Sequence, residues 1–82
     1  MTFEEEKYYD NYFNAFASDG WKQFIEELQE YFDSYQIEVI PDEAHLKMIQ
    51  GERKILSRIL QFETGIRTAY DTIKDREAET DV

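Results

Sequence analysis

Apolar positions recur every three to four residues in three stretches of this chain, the spacing of one face of an α-helix. The first stretch runs from about Phe3 to Phe16. Tyr9, Tyr12, Phe13 and Phe16 form its stripe, and Tyr8 falls outside it, toward solvent or a partner. Glu4, Glu5 and Glu6 fill its first turn, where the helix dipole favours negative charge. The second stretch, about 19–36, carries Trp21, Phe24, Ile25, Leu28, Phe32 and Tyr35 on one side and Glu26, Glu27, Glu30 and Asp33 on the other. Trp21, Phe24 and Phe32 are expected in the core. Between the two lies Ala17-Ser18-Asp19-Gly20, where Ser18 or Asp19 can cap the second helix through a side-chain oxygen.

The third stretch is the longest, about 42–76. Pro41 disfavours helix at Ile40, Asp42 is a good N-cap, and Leu46 can meet Pro41 or Ile40 as a hydrophobic staple. The connection Gln36-Ile37-Glu38-Val39-Ile40-Pro41 reads as an extended loop, since a strand there would have nothing to pair with. Ile55, Ile59, Phe62, Ile66, Ala69 and Ile73 are spaced 4, 3, 4, 3, 4, the a/d seam of a coiled coil. Met48, Ile49, Leu56 and Leu60 widen the apolar face, as suits a helix with more than one neighbour. Gly51 costs about 1 kcal/mol against alanine inside a helix. Close approach of a neighbouring helix, or of Phe32 or Phe24, is its expected compensation, with a kink as the alternative. Beyond Lys74 the apolar positions give out, so 75–82 reads as a frayed tail.

The expected fold is therefore all-α: an antiparallel helical hairpin of about 19–36 and 42–76, plus a short N-terminal helix of about 3–16, in one domain over 1–82. A short connection sets Tyr35 beside residues near 45 and Trp21 beside 58–60. The third helix, about 50 Å long, outruns a partner of roughly 25 Å. Leaving its overhang wet forfeits about 1.5–3 kcal/mol per large side chain. The first helix can supply cover, matching Tyr9, Phe13 and Phe16 to Phe62 and Ile66, or another chain can. The candidate interface is Tyr8, Tyr9, Tyr12, Phe13, Phe62, Ile66, Tyr70 and Ile73, rich in the aromatic residues favoured as interface anchors.

Composition narrows the function. A chain of 82 residues builds a modest core, so self-association or a partner is expected to add packing. There is no cysteine, which excludes disulfides and thiolate metal sites. No apolar run approaches the ~20 residues of a membrane span, and the acidic start is unlike a secretory signal, so a soluble intracellular protein is expected. A net charge of −10 argues against binding nucleic-acid backbone directly. Residues 1–43 hold twelve acids and two bases, whereas 44–74 hold six bases and three acids. The simple expectation is an acidic arm folded on a basic one with complementary helix edges. The sharper one is that Glu26, Glu27, Glu30 and Asp33 imitate a polyanion.

Catalytic chemistry finds little footing. His45 is the only histidine and lacks the Glu-x-x-His pairs of di-iron hairpins. Glu52, near the Met48/Ile55 stripe, is expected to pair with Lys22 or an arginine, or to snorkel to the edge. No glycine-rich phosphate loop precedes a helix, and Ser18, Ser34 and Ser57 have no histidine at a meaningful spacing. No catalytic residue, metal or cofactor is expected.

Gly20-Trp21-Lys22-x-Phe24-Ile25-Glu26-Glu27-Leu28, followed by Ile49-Gln50-Gly51 and Leu56-x-x-Ile59-Leu60, resembles the small helical-hairpin proteins of tailed bacteriophages, over about residues 12–64. The resemblance carries no site residues. It implies a virion or assembly component, homo-oligomeric or docked on capsid, portal or tail proteins, found in the host cytoplasm during assembly and in the virion. The alternative is an acidic phage-encoded inhibitor that occupies a basic site on a host enzyme. A terminase-type packaging regulator would need a DNA surface that only Arg53, Lys54, Arg58 and Arg67 could supply.

Overall fold

Side-chain caps start three of the helices. The computed structural model describes residues 1–35 and 42–80 and contains, among them, α1 (Phe3–Phe16), α2 (Asp19–Asp33), α3 (Glu43–Leu60) and α4 (Phe62–Thr80). Thr2 Oγ1 accepts from the Glu5 N–H at 3.1 Å, Ser18 Oγ from Trp21 at 3.2 Å and Asp42 Oδ1 from His45 at 2.7 Å. Each cap contributes about 1 kcal/mol by satisfying an exposed N–H. Ser18 and Asp42 are the caps that the sequence suggests. Thr2 stands three residues before Glu5, the spacing of a capping box.

The long third stretch is helical throughout but for Gln61, which separates α3 from α4. The Gln61 backbone stays right-handed, with φ −93° and ψ −1°. Its N–H donates to Ser57 O at 3.0 Å, and its carbonyl accepts from Gly65 N–H at 2.9 Å. The half-buried positions run 46, 49, 53, 56, 57, 59, 60 in α3 and 62, 63, 66, 70, 73, 77 in α4. Steps of three and four continue through 59, 62, 66, 70 and 73, so one inward face runs across Gln61.

Helix α4 continues to Thr80, past the loss of apolar residues. Arg76, Glu77, Ala78 and Glu79 have high helix propensity, and the Met1 ammonium pairs with the Glu77 carboxylate. Helix α2 stops at Asp33, where Ser34 Oγ donates to the Tyr31 carbonyl at 2.6 Å. The extended loop at 36–41, the Leu46 staple onto it and residues 81–82 lie outside the described residues.

Helix α2 runs antiparallel to α3, with Trp21 reaching Glu63, Phe32 under Arg53 and Tyr35 reaching Glu52. This register is one to two turns further along than a short connection predicts. Helix α1 runs antiparallel to α4, with Tyr9 against Tyr70 and Phe16 against Phe62. Thus α1 and α2 lie end to end along one rod made of α3 and α4. The overhang of the hairpin is covered from within the chain.

The molecule is two helices thick, 59 × 27 × 17 Å. Its radius of gyration is 17.9 Å, against about 12 Å for a compact domain of this length. Its accessible surface is 6566 Å², against about 5,200 Å² expected for a folded monomer of this mass. Among the described residues only Tyr9 and Phe16 are buried.

Candidate interaction surface

The α1–α4 half closes on itself through rings. Tyr9 and Phe13 meet Tyr70 at centroid distances of 5.4 and 5.0 Å, while Tyr12 and Phe16 meet Phe62 at 5.2 and 6.2 Å. Arg67 lies over Phe13 at 5.2 Å and Lys74 over Tyr70 at 5.6 Å, so two cations cover ring faces. Of the eight residues proposed from sequence as an interface, Tyr9 is buried, and Tyr12, Phe13, Phe62, Ile66, Tyr70 and Ile73 are half-buried. Tyr8 is the exposed one, edge-on to Tyr9 and Tyr12. The structure brings this set together as an internal seam between α1 and α4.

At the junction of the two halves, Phe16 packs on Trp21 at 5.1 Å. The Trp21 indole Nε1–H donates to Glu63 Oε1 at 2.9 Å, and Arg67 Nε donates to Glu63 Oε2 at 3.0 Å. The Trp21 bond, and then Arg67, hold the Glu63 carboxyl below its ordinary pKa.

The α2–α3 half is built differently. Trp21, Ile25, Leu28, Phe32 and Tyr35 turn toward Leu46, Ile49, Arg53, Leu56 and Leu60, all half-buried. Of the expected seam, Ile59, Phe62, Ile66 and Ile73 are half-buried, whereas Ile55 and Ala69 are exposed. Near Ile55 the inward place is taken by Arg53. It holds an inward position, its guanidinium lying over the Phe32 ring at 4.7 Å, and its Nε is buried without a hydrogen-bond partner. A count of apolar residues passes over that position. Glu52 is exposed and accepts from the Tyr35 hydroxyl at 2.8 Å, in place of the expected Lys22 or arginine. That bond is the main cause of a raised Tyr35 pKa.

One side of this half is apolar and open. Phe24 is 45% exposed, Tyr31 58%, Met48 53% and Ile55 60%. Phe24 and Tyr31 are seven residues apart on α2, as Met48 and Ile55 are on α3, so each pair shares a helix face. Tyr31, Tyr35, Glu52, Ile55 and Leu56 line one groove, which places the α2 and α3 pairs on the same side. At about 100° per residue, the opposite side carries Lys22, Gln29 and Asp33 from α2 and Gln50, Lys54 and Ser57 from α3. The expectation that Phe24 is core is corrected here. So is the expected compensation of Gly51: a Cβ there would meet nothing within 4 Å, and α3 passes through it as regular helix. The width of the α3 apolar face was the signal for a second, unpartnered stripe.

Charge does not join the two helices. Glu26, Glu27, Glu30 and Asp33 are exposed. Glu27 accepts from Gln23 at 3.4 Å and Asp33 from Gln29 at 3.0 Å, both within α2. Among the described residues no ion pair links α2 to α3, and Glu43–Lys47 and Glu63–Arg67 each lie within one helix. The expected complementary edges are replaced by the Trp21–Glu63 and Tyr35–Glu52 hydrogen bonds and the Arg53–Phe32 stack.

Fold and surface together define an elongated all-α helical hairpin with one apolar side facing solvent. Comparison with protein-family profiles, with curated proteins and with solved structures finds no match for the chain. No helix among the described residues is long and apolar enough to cross a membrane.

Proposed function

We propose that this chain is a non-enzymatic protein–protein interaction subunit, a virion or assembly component of a tailed bacteriophage that docks on capsid, portal or tail proteins. The observation that supports interaction is the open face of Phe24, Tyr31, Met48 and Ile55. Each is about half exposed, so completing its burial in a complex yields roughly 1 kcal/mol or more. The Gly20–Leu28 and Ile49–Leu60 resemblance supports the phage setting. Mass spectrometry of density-purified particles tests it. The chain should remain with the particles through salt washing, and its absence from them would overturn the phage reading.

A second reading is supported by the exposed Glu26, Glu27, Glu30 and Asp33, which have no basic partner on α3. An acidic inhibitor of a basic host enzyme would bind with strong salt sensitivity. Charge reversal at those four positions should abolish that binding, and an unchanged affinity would count against it.

A further inference from the structure

We infer that the open face is a homodimer interface, in which α2 of each copy lies across α3 of the other to complete a four-helix arrangement. The inference deepens the interaction reading above and rests on its apolar face, not on the phage setting.

Charge selects both the occupant and the arrangement. Helix α2 as a whole carries five acids and one base, net −4, and α3 two acids and four bases, net +2. Although Arg53 is turned inward and Lys54 lies on the opposite side, the charges bordering the open face keep that contrast. A closed two-fold dimer pairs the same patch on both copies. With the axis along the helices, each α2 covers the partner's α3, and the Glu27/Glu30 flank meets the Lys47/Arg58 flank twice. With the axis across them, α2 covers α2 and the glutamates face one another. The first is favoured by Coulomb attraction at both contacts. Glu27 and Glu30 flank the α2 part of the face, and Lys47 and Arg58 flank the α3 part. Arg58 has no charged partner within the described chain.

Two further observations fit a second copy. The surface excess over a compact monomer is about 1,400 Å² per chain, and a standard interface takes about 800 Å² per partner. Gly51 lies on α3 beside the Met48/Ile55 stripe, with open space where a Cβ would stand. A second helix can therefore approach the α3 backbone closely there, which explains a glycine that serves no contact within one chain.

Sedimentation equilibrium and native mass spectrometry of the full chain test this. The wild type should form a species of twice 9.9 kDa. Ile55→Lys should weaken dimerisation at least tenfold with helix content unchanged, because Ile55 is already exposed in one copy. Glu27→Lys/Glu30→Lys alone should also lose the dimer, as should Lys47→Glu/Arg58→Glu alone, and mixing the two variants should restore a heterodimer. A wild type that stays monomeric to sub-millimolar concentration overturns the inference, as does a dimer that Ile55→Lys leaves intact. A mass shift seen only with another protein added overturns it in favour of a heterologous partner. If Glu27→Lys/Glu30→Lys dimerises like the wild type, the α2-over-α3 arrangement is wrong. A monomer found in particles would sink the dimer and leave the phage reading standing, and a dimer absent from particles would do the reverse.

Discussion

The two halves of the rod face the same packing problem, a single helix laid along another, and meet it with different side chains. Between α1 and α4, four ring pairs span the gap, and both buried residues of the described chain belong to α1. Between α2 and α3 the rings come from one side only: Trp21 and Phe32 of α2 face aliphatic side chains and Arg53, no ring pair crosses the gap, and no residue of either helix is buried. Aromatic rings are wide enough to roof a two-helix seam, and each well-placed pair adds about 0.5–1.5 kcal/mol beyond its area. The leucines and isoleucines of α3 reach less far across the sides, and with rings on α2 alone the layer keeps an open flank, which makes it the half suited to accept another molecule.

Substitutions should separate the halves. The largest effect is expected at Phe16, which is 4% exposed where α1, α2 and α4 converge. Phe16→Ala should cost about 3–5 kcal/mol, close to the whole stability of a domain this small, and urea titration followed by circular dichroism should show the cooperative transition lost. Trp21→Phe keeps the ring but removes the donor to Glu63, and should cost about 1–2 kcal/mol in the same titration. Gly51→Ala, read at dilution where the chain is monomeric, should stabilise by up to about 1 kcal/mol through helix propensity, since the added methyl meets nothing. At dimer-forming concentrations the same methyl should weaken association.

The smallest effect is a pH dependence at the junction. The folded Glu63 pKa lies below its ordinary value, so the stability it contributes is fully present above the unfolded pKa of about 4.3. That stability is lost as pH falls through the folded pKa. Partial exposure keeps the contribution small. Thermal melts of the wild type should lose more stability on acidification below pH ~4 than melts of Trp21→Phe, which lacks the main cause of the shift.

Much of this arrangement was legible in the residues. Ser18 and Asp42 announce helix starts by the chemistry of their side chains, and the stripe of Tyr9, Phe13 and Phe16 identifies what can cover Phe62. The Thr2 hydroxyl cap was equally readable and explains the first boundary. The phase of the α3 seam was not legible, because an arginine stacked on Phe32 occupies an inward position while Ile55, an apolar residue, points out. Periodicity weighs both the wrong way. Glutamine is a good helix former, so nothing in the residues announces the break at Gln61. The open face was not legible either, since the width of an apolar stripe does not say how many neighbours the fold will supply.

Hydrogen exchange measured across a range of protein concentrations tests the central claim, that α2–α3 is the associating half, most directly. Amides of α2 and α3 should gain protection as concentration rises, with the gain centred near Phe24, Tyr31, Met48 and Ile55, while those of α1 and α4 change little. Protection that is independent of concentration, or that rises in α1 and α4 instead, would contradict it.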